Sequence, residues 1–135
     1  MIAPLGLADI PALVALWEAC GLTRPWNDPE RDARLAVEGA TSTILGLREG
    51  EALIAAVMTG FDGHRGWVYY LAVAPDRRRE GLGRKLMAAA EAWLRARGAP
   101  KIQLMVRTSN AEALGFYEAL GLERQEVVTL GRFLD

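Results

Sequence analysis

The sequence is poorest in the residues that crosslink chains and hold metals: one cysteine, Cys20, and one histidine, His64, in 135 residues. A disulfide framework is therefore excluded, and a Cys/His zinc site would need ligands the chain lacks. No metal is expected. Neither sign of charge is in excess, since 16 Lys and Arg against 17 Asp and Glu leave a net charge of −1. Generic nucleic-acid binding draws on a basic surface, so no nucleic-acid partner is expected. Long apolar runs are missing too, and with them any bilayer span, so no membrane partner is expected. The apolar start, Met1 to Leu16, has no Lys or Arg and contains Asp9 and two prolines, which is unlike a secretory signal. A cytoplasmic, reducing location is the expectation.

What remains is ordinary globular material, 51% apolar and 24% charged, in a length that suits one domain over residues 1–135. Such a chain buries enough surface to fold without staples. Asp9 can cap a helix over about 10–20, with Leu13, Leu16, Trp17 and Cys20 on one face and Gly21 as the stop. Asp28-Pro29 reads as a cap and a first helical position, opening a helix to about Glu38. Residues 42–48 and 52–61 read as strands joined by Glu49-Gly50-Glu51, and Asp62 to Gly66 as a second turn. Trp67 to Val73 is a strand of aromatic and β-branched residues, ended by Pro75. Leu82, Leu86, Ala89, Ala90 and Trp93 recur at helical spacing between Gly81 and Arg97. Residues 101–107 alternate as a strand, Asn110 can cap a helix that ends at Gly121, and Gln125 to Phe133 reads as a last strand. The order is that of an α/β domain with a mixed sheet.

The most informative stretch runs from Val73 to Lys85. Between Pro75 and Lys85 it holds five basic residues and two acidic ones, a local surplus of three positive charges. Gly81 and Gly83 lie where a strand hands over to a helix. Unpaired backbone N–H groups, the positive end of a helix and side-chain cations then converge, which suits an anion and above all a pyrophosphate. A nucleotide P-loop would need Lys-Ser/Thr after the glycine, where Arg84-Lys85 stands; a dinucleotide fingerprint would need a small residue at Leu86. A glycine loop with a solvated basic face is the alternative reading of the stretch alone.

The spacing Val73-x-Pro75-x-x-Arg78-x-x-Gly81-x-Gly83 resembles the acetyl-CoA pyrophosphate loop of the GNAT N-acetyltransferase superfamily. A second segment, Asn110 to Leu122, resembles that family's Asn-x-x-Ala-x-x-Phe-Tyr-x-x-x-Gly-Phe motif, with Leu122 in the aromatic place. The likeness covers the chain from about residue 5. It is closer still to the YpeA-type bacterial acetyltransferases, on Leu22 to Glu30, Asp62 to Gly66 and Tyr69-Tyr70-Leu71. The resemblance implies a mixed, mostly antiparallel central sheet of six or seven strands flanked by about four helices. It implies acetyl-CoA as co-substrate and a primary amine on a small molecule, peptide or protein as acceptor.

By that resemblance Arg78, Arg79, Glu80, Gly81, Leu82, Gly83 and Arg84 hold the cofactor's phosphates, and Leu71, Ala72 and Val73 pair with its pantetheine arm. The Leu71 backbone N–H polarises the thioester carbonyl. Tyr117 is the general acid, a phenol that stays protonated at neutral pH beside a departing thiolate; as a helix residue it reads equally as core. Asn110 is a helix cap that the likeness also places near the cofactor. The general base is unassigned. Met105 stands where some members carry an acid and Tyr69 where others carry Glu, which counts against a ribosomal-protein acetyltransferase. Tyr69, His64, Asp62 and Glu123 are the candidates, with a water chain as the alternative. Arg24, Trp26, Asn27 and Tyr69 are assigned to the acceptor cleft, though Trp26 reads equally as packing for the first helices. Trp17, Trp93 and Met87 read as core or dimer contact, and a homodimer is expected by analogy. Two rival functions stand beside transfer: an acyl-CoA-binding sensor, and a toxin acetylating aminoacyl-tRNA, which the net charge disfavours.

Overall fold

Gly50 and Gly63 take left-handed backbones, with φ of 62° and 90°, and each reverses the chain between two long strands. In this computed structural model, which describes residues 1–134, the strands so joined are β2 (Ser42–Glu49), β3 (Ala52–Phe61) and β4 (Gly66–Val73). The Asp62 carboxylate fixes the second turn by accepting from the N–H groups of His64 (2.8 Å) and Arg65 (2.7 Å).

The chain falls into two compact units, Met1–Met105 and a second one beginning at Val106. The first holds a five-stranded sheet. β1 (Ile2–Pro4) and β5 (Ile102–Leu104) form its edges, in the order β1-β2-β3-β4-β5. All pairings are antiparallel except β4 with β5, which is parallel. The helices α1 (Ile10–Ala19), α2 (Pro29–Glu38) and α3 (Leu82–Ala96) complete the unit. Asp28 caps α2 by accepting from Arg31 N–H at 3.1 Å, with Pro29 at the first helical position.

In β3 the run Ile54–Val57 is buried on both faces, as expected for a central strand covered twice. Leu13, Trp17, Ala33 and Ala36 from the first two helices pack with Ile44, Ala56 and Ala72 of the sheet. Leu82, Leu86, Met87, Ala90 and Leu94 form the buried stripe of α3. Gly66 lets α3 come close, because a Cβ there would lie 2.6 Å from the Leu94 side chain. Trp17 and Met87 are thus core, as expected, while Trp93 is half-buried under the Arg97 guanidinium, 3.6 Å from its ring centroid.

In the second unit α4 (Ala111–Ala119) is capped by Asn110, whose side chain accepts from Ala113 N–H at 3.1 Å. The expected strand from Gln125 to Phe133 is not formed. No ladder joins it among the described residues, and Val127, Val128, Leu130 and Phe133 are exposed. The expected strand at 101–107 keeps only its first half, so the sheet has five strands rather than six or seven.

Candidate active site

β4 changes character halfway along. Its pairing with β3 runs from Met58↔Tyr69 to Ala56↔Ala72, so two residues, Tyr70 and Leu71, stand opposite the single Val57. That is a β-bulge, and Tyr70 takes the strained left-handed conformation within it, φ 53°. On the other side β5 pairs only as far as Val68↔Leu104. From Tyr69 to Val73 the edge of β4 that faces β5 therefore carries no ladder among the described residues, and Leu71 lies in the bulge on that stretch. An extended amide-bearing ligand can add there as a further half-strand. Cys20, whose thiol donates to the Val73 carbonyl at 3.2 Å, ties α1 to the end of β4.

The chain leaves β4 through a single 3-10 turn, Pro75–Arg77, and enters α3 through two left-handed residues, Arg79 (φ 66°) and Gly81 (φ 78°). Gly81 occupies the cap position of α3 and offers no side chain to it. The first intrahelical bond, Lys85 N–H to Gly81 C=O at 3.1 Å, leaves the N–H groups of Leu82, Gly83 and Arg84 without intrahelical acceptors. A Cβ on Gly81 would meet nothing within 4 Å, so the approach to these donors is open.

The basic surplus of the loop is smaller than the composition implies. Arg77 grips Glu49 at 2.7 and 2.9 Å and Glu80 at 2.9 and 3.0 Å, tying the loop to the end of β2. The guanidinium holds both carboxyls below the usual range. Glu80, assigned to the phosphates, has its side chain engaged in this way, which leaves its backbone as the group to offer an anion. Arg78, Arg79 and Arg84 are exposed, and no ion pair holds them among the described residues.

The residues considered as base differ sharply. Asp62 accepts from two backbone N–H groups and from Trp67 Nε1 (3.2 Å), and these bonds hold its carboxyl low. Tyr69 is pushed up, first by burial and then by the Asp62 charge, and so keeps its proton at neutral pH. His64 is exposed on the turn, with its ring 3.5 Å from the Arg65 guanidinium. Glu123 is exposed in the second unit. There Tyr117 packs edge-to-face on Phe116, with centroids 5.1 Å apart, and burial raises its phenol.

Sequence reasoning missed Tyr70 and Asp32. The Tyr70 ring stacks on Trp17 at 3.8 Å and 12°, and its hydroxyl donates to Asp32 Oδ2 at 2.8 Å. Burial and the Asp32 carboxylate push this phenol well up, against the opposing effects of the Asn27 amide and the Arg24 charge. Two of the residues assigned to the acceptor, Arg24 and Asn27, thus lie around the Tyr70 hydroxyl. Arg24 also donates to the Gly21 and Thr23 carbonyls, and Trp26 is 55% exposed, which removes it from the core reading. The one local signal was the adjacent pair Tyr69-Tyr70, since strict alternation would send the second ring to the opposite face.

Comparison with known proteins bears directly on this arrangement. Residues 11–122 match the model of the Acetyltransferase (GNAT) family. An acetyltransferase of Pectobacterium atrosepticum is 44% identical over 126 residues, covering 93% of this chain and 89% of that protein. One of Yersinia enterocolitica is 42% identical over 127 residues, covering 94% and 90%. Among solved structures, the ribosomal-protein-S18-alanine N-acetyltransferase of Escherichia coli is 30% identical with a TM-score of 0.77, covering 90% of this chain and 76% of that one. AAC(6')-Iy, in complex with the bisubstrate analogue CoA-S-monomethyl-acetylneamine, shares the fold with a TM-score of 0.83 at 15% identity, covering 98% and 97%. With a family match over residues 11–122 and relatives above 40% identity across nine-tenths of the chain, the chain belongs to the GNAT acetyltransferases and is an acyltransferase.

Proposed function

We propose that the chain moves the acetyl group of acetyl-CoA to a primary amine by direct attack within a ternary complex. The observation that carries this reading is the continuity of two features in the first unit. The unladdered edge of β4 beyond its bulge leads, through the turn that follows Val73, to the N-terminus of α3, which no side chain caps. An edge that accepts amides and a helix end that accepts diphosphate match the two halves of coenzyme A in order.

The chain's own groups then have distinct tasks. The N–H groups of Leu82, Gly83 and Arg84, with the turn from Arg79 to Gly81, hold the diphosphate, and Arg78, Arg79 and Arg84 add charge. Ala72 and Val73 pair with the pantetheine amides through their backbone. Leu71 N–H faces the thioester oxygen, where negative charge develops as the amine attacks. The C–N bond forms and the C–S bond breaks; the amine's proton leaves through water, and Tyr117 supplies a proton to the departing thiolate. Tyr117 is assigned by its place in the Asn110–Leu122 motif, and Asn110 by the same motif. No covalent enzyme intermediate is needed, in keeping with a single thiol engaged at Val73.

The acceptor is an amine on a small molecule, peptide or protein terminus. Asp62 is held low and so is a weak base, and Tyr69 keeps its proton and so is not available as one; both favour a second reading, an acyl-CoA sensor with little turnover. Release of free thiol from acetyl-CoA, followed with and without a panel of primary amines, separates the two. Amine-dependent release supports transfer; tight binding with no release over the panel supports the sensor.

A further inference from the structure

Four carboxylates of the first unit are well supplied with donors. Asp9 pairs with Arg48, Glu49 and Glu80 with Arg77, and Asp62 receives three N–H groups. Asp32 differs from these four. It is half-buried on the first turns of α2, it forms no ion pair among the described residues, and its only side-chain donor is the neutral Tyr70 hydroxyl at Oδ2. Oδ1 has no hydrogen-bond donor among the described residues. A partly desolvated carboxylate with one oxygen unfilled is a seat for a cation.

Its place is set by strain. Tyr70 adopts φ 53° in the bulge, and Trp17 clamps its ring from one face, so the hydroxyl is fixed and with it the carboxylate. Tyr70 immediately precedes Leu71, the residue assigned to the thioester. Asp32 therefore lies one tyrosine side chain away from the bulge: too far to take a proton at the reacting nitrogen, and suited to a charge further along the same acceptor. Arg24 does not fill the seat, because its guanidinium is turned back onto the Gly21 and Thr23 carbonyls.

We propose that Asp32, oriented by Tyr70, selects an acceptor carrying a second positive charge a few bonds from the amine that is acetylated. The substrate class is a diamine or a longer polyamine, or a peptide amine with a neighbouring basic side chain. This rests on the acetyl-transfer reading and narrows its acceptor.

The test uses the full chain with acetyl-CoA and two series of probes. One is 1,3-diaminopropane, 1,4-diaminobutane and 1,5-diaminopentane; the other is the matching monoamines. The expected result is a kcat/KM for at least one diamine about tenfold above that of its monoamine, the difference lying in KM. Asp32→Asn, which keeps an oxygen for the Tyr70 hydroxyl, is expected to bring that ratio near one. Tyr70→Phe, which keeps the stack and frees the carboxylate, is expected to lower the ratio severalfold through KM. Glu30→Gln, an exposed charge on the same helix, controls for net charge and should leave the ratio in place. Equal use of both series by the wild type, or an unchanged ratio in Asp32→Asn, overturns the proposal. So does a protein that binds acetyl-CoA in calorimetry yet acetylates monoamines only, or neither series. Absence of acetyl-CoA binding would instead bring down the acetyl-transfer reading itself.

Discussion

Three tyrosines carry most of the account at the scale of single residues, and their environments divide the labour. Tyr70 has its hydroxyl committed to Asp32 and its ring to Trp17, so it shapes the strand rather than reacting. Tyr69 is 42% exposed beside Asp62, whose charge opposes ionisation. Tyr117 is raised by burial, so its phenol keeps its proton at neutral pH. A phenol held above its ordinary value remains protonated throughout the neutral range, as a general acid must. Replacement of Tyr117 by Phe should lower kcat about 10²-fold with little change in acetyl-CoA affinity. Steady-state kinetics beside equilibrium binding gives the answer; an unchanged kcat would make the residue structural.

At the scale of elements, the handover from β4 to α3 matters most. Gly81 stands at φ 78°, where a β-branched residue is strained by about 1–3 kcal/mol, and no atom lies within 4 Å of its absent side chain. The strain alone predicts a lower melting temperature for Gly81→Val, and the intrusion over the α3 donors predicts weaker acetyl-CoA binding. Loss of stability with undiminished affinity would move the phosphate site elsewhere. This handover was legible in the sequence because its signals are local: Pro75 ends a strand and Gly81 opens a helix within a few residues. The caps Asp28 and Asn110 were legible for the same reason. The bulge was not, since it exists only in the register of β4 against Val57, and no property of Tyr70 or Leu71 alone announces it. The Tyr70–Asp32 bond spans 38 positions and the Arg77–Glu49 pair 28, and such contacts leave no periodicity to read. The missing strand at 125–133 is the converse case, a segment read as a strand that joins no ladder among the described residues.

For the molecule as a whole, neutral charge conceals an uneven economy of carboxylates. Glu49, Glu80 and Asp62 all sit below their ordinary values because donors surround them. A depressed folded-state value means stability that is present above the unfolded value, near 4.5 for the glutamates, and lost as pH falls through the folded value. The melting temperature should therefore drop on acidification below about pH 4.5, and drop less steeply in Glu49→Gln. Because these groups are exposed, the effect is modest and shrinks with added salt. Parallel pH profiles for the two proteins would contradict the role given to Arg77 in pinning the loop.

In the proposed function, backbone amides at the start of α3 hold the diphosphate of coenzyme A. Calorimetric titration of the wild-type chain with acetyl-CoA, and separately with acetyl-pantetheine, which shares the thioester arm but lacks the diphosphate, tests it most directly. Saturable binding of acetyl-CoA is expected, with affinity at least about tenfold lower for acetyl-pantetheine, the loss of one or more charge-assisted hydrogen bonds. Equal affinities, or no heat of binding with either compound, would contradict it.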